Sequence, residues 1–194
     1  MSRTTLRELN GFDETPAKLD GSTLILIDFQ NTYTQGVMEL DGWEASLDAA
    51  AQLLARARAA GTKVVHVIND GGEGTPYDIR AEIGQIHPKV APVDGEPVVV
   101  KQVPNAFVGT DLATHLTEGQ DVVIAGWMTH MCVAFTAQGA FLGGHRPTVV
   151  AEATATRSLP VAGTDVPAEQ VHQGALATIA DLYGVVVVSQ KEIV

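Results

Sequence analysis

Three reactive side chains stand where apolar runs of this chain give out. Asp28 closes the run in LILIDFQN, Lys101 the run in VVVKQVPNAF, and Cys132 follows the run in IAGWMTHMCV. A lone buried carboxylate or ammonium is costly unless it is paired. Each residue has an ordinary reading. A strand-end Asp caps a helix or holds a loop, a strand-end Lys snorkels to water, and a lone Cys is a small buried hydrophobe. Taken together they compose a mechanism. Cys132 attacks a carbonyl, and Asp28 takes the thiol proton and later returns it to the leaving group. Lys101 and the free N–H groups of a helix's first turn are expected to lower the thiol pKa. Backbone N–H groups at that helix start can receive an oxyanion.

The elements that must position these groups follow from the apolar pattern. Buried strands are expected over 23–29, 63–69, 97–102, 121–127, 148–154 and 185–190, all without polar alternation. Trp43, Leu47, Ala50, Leu54 and Ala57 mark one face of a helix that Gly61 ends, and Val171, Ala175, Ile179 and Leu182 mark another that Gly184 stops. A helix over 130–142 has Thr129 as its cap, and shorter helices are expected near 78–84 and after Thr110. Residues 1–20 read as an irregular arm, and 33–43, 71–95 and 157–167 as loops. Apolar strands alternating with helices make a three-layer α/β/α protein with a six-stranded, mostly parallel sheet. The whole of 1–194 reads as one domain. In such sheets ligands bind beyond the carboxyl ends of the strands, which is where Asp28, Lys101 and Cys132 fall.

Composition narrows the function. The net charge is −11 with no cluster of Lys and Arg, so phosphate backbones and anionic lipid surfaces are repelled. No run approaches the ~20 apolar residues of a membrane span, and the polar start has no signal core. The expected setting is cytoplasmic, with neither nucleic acid nor membrane as partner. One cysteine excludes an internal disulfide and a cysteine-rich metal cluster. GGEG at 71–74 follows the second strand and lacks dinucleotide spacing.

On these motifs the chain resembles the isochorismatase-like cysteine hydrolases, a superfamily that includes nicotinamidases and carbamoylsarcosine amidohydrolases. LILIDFQN is similar to the first family motif, VVKQVPNAFVGTDL to the second and VVIAGWMTHMCV to the third, and the likeness runs over roughly 20–190. It implies the Rossmann-like isochorismatase fold, Asp28, Lys101 and Cys132 as the catalytic set, and a cis peptide between Trp127 and Met128. It further implies Met128 and Cys132 N–H groups as oxyanion donors, and a homo-oligomer, dimer or tetramer. The sequence departs from nicotinamidases where they carry an Asp/His metal cluster. Here Asp70, Glu73 and Asp78 offer oxygen only, so no metal and no cofactor are expected. Isochorismatase itself lacks the cysteine, so its presence implies acyl chemistry on a small amide, ureide or lactam. The sub-group suggested is that of the streptothricin hydrolases, which open a lactam.

Phe29, Gln30, Asn69, Phe107, Trp127 and Thr129 are the expected substrate-binding residues, with core packing or loop-holding as their ordinary reading. His130 sits beside the nucleophile and would touch substrate or a neighbouring subunit. His66 and His172 read as structural. Two rival functions remain in the sequence. One is a thiol-redox or sensing protein built on Cys132, against which the lack of a resolving cysteine counts. The other is a binding module that keeps the fold without the chemistry.

Overall fold

The computed structural model describes residues 4–194. Its sheet is built from strands β1 (Thr23–Ile27), β2 (Lys63–Asn69), β3 (Val98–Lys101), β4 (Asp121–Trp127), β5 (Arg146–Ala155) and β8 (Val185–Val187). They lie in the order β3-β2-β1-β4-β5-β8, and each neighbouring pair is parallel. Successive side chains on a strand point to opposite faces, and both faces are apolar. Leu24, Leu26, Val64, Val123 and Ala125 meet Leu47, Ala50, Leu53, Leu54 and Ala57 of helix α2 (Trp43–Ala60). Ile25, Ile27, Val65, Val67 and Ile124 meet Val133, Ala137 and Ala140 at helix α3 (Ala134–Leu142), together with Ile179 beyond helix α4 (Ala168–Thr178). This is the expected three-layer architecture with a wholly parallel central sheet.

The chain leaves β1 toward β2 and β3, then returns to place β4 on the other side of β1. The strand order therefore reverses between β1 and β4, which opens a crevice at their carboxyl ends. Asp28 follows β1 and Cys132 follows β4, so the reversal brings the two together.

Several boundaries differ from the sequence reading, each for a local reason. The arm is not wholly irregular. Helix α1 (Leu6–Leu9) is closed by a reciprocal capping box between Thr5 and Glu8. The expected loop 157–167 contains a hairpin, β6 (Leu159–Val161) with antiparallel β7 (Thr164–Val166), turned at Ala162 and Gly163 with positive φ. The segment near 78–84 is a short 3₁₀ turn at Glu82–Gly84, and the one after Thr110 is a 3₁₀ turn at Leu112–His115. Helix 130–142 opens as a π turn over Thr129–Val133, and Met128 rather than Thr129 holds the cap position. Among the described residues no helix is long and apolar enough to cross a membrane.

One close approach fixes β4 against β1. A Cβ on Gly126 would land on the carbonyl oxygen of Ile27, directly before Asp28. Replacing Gly126 by alanine must therefore push two central strands apart just below the site. We expect Gly126→Ala to cost about 3 kcal/mol, a fall in Tm of roughly 10 °C for a chain of this size. An unchanged calorimetric melt would contradict the packing described.

Candidate active site

Asp28, Lys101 and Cys132 converge at the crevice. Asp28 is the residue after β1, and its N–H donates to Val67 O at 2.8 Å while its O receives the Gln30 N–H at 2.7 Å. Those bonds turn the chain so tightly that Asp28 takes φ 52°, a left-handed conformation uncommon outside glycine and best tolerated by Asn and Asp. Lys101 ends β3, two strands away from β1. Strands stand about 4.8 Å apart, so only a long side chain can cross β2 to reach Asp28. Lys101 Nζ lies 2.7 Å from Asp28 Oδ2, 3.3 Å from Cys132 Sγ and 3.4 Å from Asn69 Oδ1. The ammonium thus sits between carboxylate and sulfur. Asp28 is 0% exposed, Lys101 1% and Cys132 7%.

This burial sets the charge state. It raises the Asp28 carboxyl against the pull of Lys101. It also works to lower the Lys101 ammonium, but the charges on Asp28 and Cys132 outweigh it and carry that group up. The Cys132 thiol is pushed up to about 12, first by burial and then by the Asp28 charge, with Lys101 pulling only partly the other way. The expectation of a lowered thiol pKa is therefore corrected. Releasing the proton to water would leave a net negative charge in an apolar crevice. Passing it to Asp28 keeps the site neutral overall, because a carboxylate and a thiol become an acid and a thiolate beside the same ammonium. Neither Asp28 oxygen receives an aligned hydrogen bond, so the carboxylate is free to accept that proton.

The expected substrate-binding residues fall into distinct places. Asn69 ends β2 beside Lys101 and is half-buried. Gln30 is fully buried and its amide is spent on backbone, donating to Asn69 O at 2.9 Å and Gly84 O at 2.7 Å and accepting from Asn69 N–H at 2.9 Å. It clamps the loop after β2 to the site. Phe29 and Trp127 pack edge to face in the α2-side core, with the Trp127 Nε1–H donating to Ser46 Oγ at 2.8 Å. Phe107 stacks on His145 and packs against Gly139 of α3. Thr129 is fully buried and its hydroxyl pairs with His172 Nδ1 of α4 at 2.9 Å, which explains why it does not cap the helix. For these five, the contacts present are packing and loop-holding contacts. Met128 is joined to Trp127 by a cis peptide bond, and its carbonyl accepts the Met131 and Val133 N–H groups.

The acidic loop after β2 is used up within itself. Asp70 and Asp78 both pair with Arg80, and Asp78 also receives the Gly74 and Arg80 N–H groups. Among the described residues no group of three His, Cys, Asp or Glu side chains could hold a metal ion.

Sequence reasoning missed two tyrosines that feel the charges of the site, and an arginine whose charge bears on one of them. Tyr33 is buried and Tyr77 half-buried, their rings edge to face. Burial raises both hydroxyls, and the charges of Asp28 and Cys132 bear on both. Arg157, just past β5, bears in turn on Tyr77 and His130. His130 Nδ1 pairs with Thr156 Oγ1 at 2.6 Å. Tyr33 and Tyr77 lay in stretches read as loops, where a lone aromatic carries no periodic signal.

The isochorismatase domain model matches residues 22–192. A secreted isochorismatase effector of Verticillium dahliae is 32% identical over 98% of this chain and 99% of its own length. A maleamate amidohydrolase of Pseudomonas putida is 34% identical, covering 93% and 86%. The crystal structure of an isochorismatase from Pseudomonas putida aligns over the whole of both chains with a TM-score of 0.95 and 36% identity.

A thiol held up near 12 is almost wholly protonated in neutral solution. Alkylation of the free protein by iodoacetamide is expected to be slow at pH 7 and to rise about tenfold per pH unit through pH 10 without levelling. An ordinary thiol levels off above ~8.5, and a plateau there would refute the charge state given.

Proposed function

This chain belongs to the isochorismatase family, and we propose that it works there as a cysteine-dependent hydrolase of a small amide, ureide or lactam C–N bond. The observation that carries this reading is the 3.3 Å contact of the Lys101 ammonium with Cys132 Sγ while the same ammonium holds Asp28 at 2.7 Å. In the reaction Asp28 takes the thiol proton and Cys132 Sγ attacks the carbonyl carbon. The oxyanion is received by the Met128 and Cys132 N–H groups. Collapse of the tetrahedral adduct breaks the C–N bond, and Asp28 gives its proton to the departing nitrogen. Water then attacks the thioester, with Asp28 as base again, releasing the acid and restoring the thiol. Lys101 remains charged throughout and compensates whichever partner is negative. The amidohydrolase among its relatives supports the choice of an amide.

The geometry speaks against a thiol sensor. A sensing cysteine is exposed and ionised, whereas Cys132 is 7% exposed and its thiol is raised. A working free thiol goes with a reducing, cytoplasmic setting. We also read 1–194 as one domain that assembles as a homo-oligomer, dimer or tetramer. Phe135 and Leu142, apolar and exposed on α3, support that assembly.

The test is ammonia release across a panel of small amides, ureides and lactams. Cys132→Ala is expected to lower kcat by at least 10⁴-fold, to background, while its circular dichroism stays native. Turnover at the wild-type rate in that variant would end the cysteine mechanism.

A further inference from the structure

The lysine of the proposed catalytic set stands on a weakly supported strand. β3 is four residues long and lies at the edge of the sheet, bonded to β2 alone. Of its three valines, Val99 is buried, while Val98 and Val100 are 41% and 45% exposed. Short edge strands with little packing hold their register weakly. A slip of one residue turns every side chain to the other face of the sheet, and Lys101 would then point away from Asp28. At the near end, the Asp70 N–H donates to Lys101 O at 2.9 Å. That is a backbone bond any residue in the same place would accept, so it does not choose the register.

A side-chain cluster at the far end does. Glu96, two residues before β3, receives Arg58 of α2 through Nε at 2.7 Å and Nη2 at 2.8 Å. Its Oε2 pairs with His66 Nε2 of β2 at 2.8 Å and accepts the Val93 N–H at 3.1 Å. The Glu96 N–H donates back to Val93 O at 3.0 Å, which closes a turn through Asp94 and Gly95. Arg58 Nη2 also donates to Ala91 O at 2.9 Å. The Glu96 side chain is 9% exposed, and the Arg58 guanidinium holds its carboxyl down at about 2. His66 is itself buried, its N–H donates to Pro97 O at 2.9 Å, and it stands opposite Val98 in the ladder. The carboxylate thus grips the β2 residue at which β2 and β3 begin to pair. Setting His66 against Val98 sets Asn69 against Lys101 three residues on.

We propose that Glu96 is a positioning residue for Lys101: it fixes the register of β3 on β2 and thereby the contacts of the ammonium with Asp28 and Cys132. Five residues of extended chain, about 16 Å, separate Glu96 from Lys101, so the carboxylate touches no reacting atom. Its effect on rate rests on the hydrolase reading above; its effect on the lysine does not.

The test follows the Lys101 ammonium by heteronuclear NMR, assigned through its bonds to the Lys101 backbone. In the wild type an ammonium held between a carboxylate and a sulfur is expected to give a signal whose protons exchange slowly with water. Glu96→Gln keeps the shape of the side chain and removes its charge. We expect that variant to exchange the ammonium protons at least about tenfold faster. On the amide that releases ammonia fastest, its kcat should fall at least about tenfold, with KM within about twofold. Where Glu96→Gln does not fold, Arg58→Lys takes its place, since it keeps the charge and loses the fork; the same changes are expected, smaller in size. Arg7→Gln controls for plain loss of stability. Arg7 is buried and clamps the N-terminal arm to Glu14, Asp13 and Leu182. Well below its Tm, that variant should keep the wild-type exchange and kcat. A wild type without a protected Lys101 signal overturns the proposal. So does wild-type exchange in the folded Glu96 or Arg58 variant, the same acceleration in Arg7→Gln, or faster exchange with unchanged kcat. Faster exchange in the Glu96 variant, with no amide hydrolysed by the wild type, leaves the positioning of Lys101 standing and removes the catalytic reading instead.

Discussion

Lys101 carries an ammonium into a place from which water is nearly excluded, and the rest of the site is arranged around that fact. Its charge is tolerable only because Asp28 lies 2.7 Å away, and the buried carboxylate is tolerable only because of the ammonium. The pair is neutral. Adding a thiol keeps it neutral, and adding a thiolate does so only if the proton stays in the site. A buried neutral triad therefore favours relocation of a proton over its release. That constraint accounts for the raised thiol together with a carboxylate that lacks an aligned partner. The cysteine rests protonated, and in the reaction proposed above it becomes a nucleophile by an exchange that costs no net charge.

Such an arrangement tolerates little drift, and the scaffold supplies the rigidity from both faces of the sheet. The Asp28 backbone is pinned by Val67 on one side and Gln30 on the other. Gln30 in turn spends its side-chain amide on Asn69 and Gly84, which fixes the carboxyl end of β2 under the lysine. Trp127, at the end of β4, is locked by Ser46 of α2, and Thr129 by His172 of α4. The segment that carries the sulfur is thus anchored to both helical layers. These contacts are packing in form, yet their effect is to set the positions of the Asp28, Lys101 and Cys132 side chains.

How much of this could be read from the chain follows the range of each interaction. The convergence of Asp28, Lys101 and Cys132 was legible because a polar residue at the end of an apolar strand is locally anomalous, and the parallel-sheet rule gathers strand ends at one pole. The strands over 63–69 and 121–127 were legible to the residue, since both faces are buried. The capping box of α1 was present in Thr5 and Glu8 but sits in a four-residue helix too short to show periodicity. The hydrogen bonds of Gln30, Thr129 and Trp127 were not legible, because their partners stand 39 to 81 positions away in sequence and no local pattern announces them. The thiol shift was misjudged for a related reason. A neighbouring cation and a helix start are visible in sequence, whereas the degree of burial that outweighs them is a property of the closed fold.

Arg157 shows the opposite limit. In sequence it is one arginine in the polar stretch ATATRSLP, indistinguishable from a solvated loop cation, and surface cations are expected to find carboxylates in so acidic a chain. Only the assembled structure shows that it meets none among the described residues, and that it stands just past β5, at the pole where Cys132 lies. A site whose own charges sum to zero offers little attraction to a neutral or an anionic molecule. An arginine at that pole adds a positive charge outside the neutral triad, and that charge bears on Tyr77 and His130.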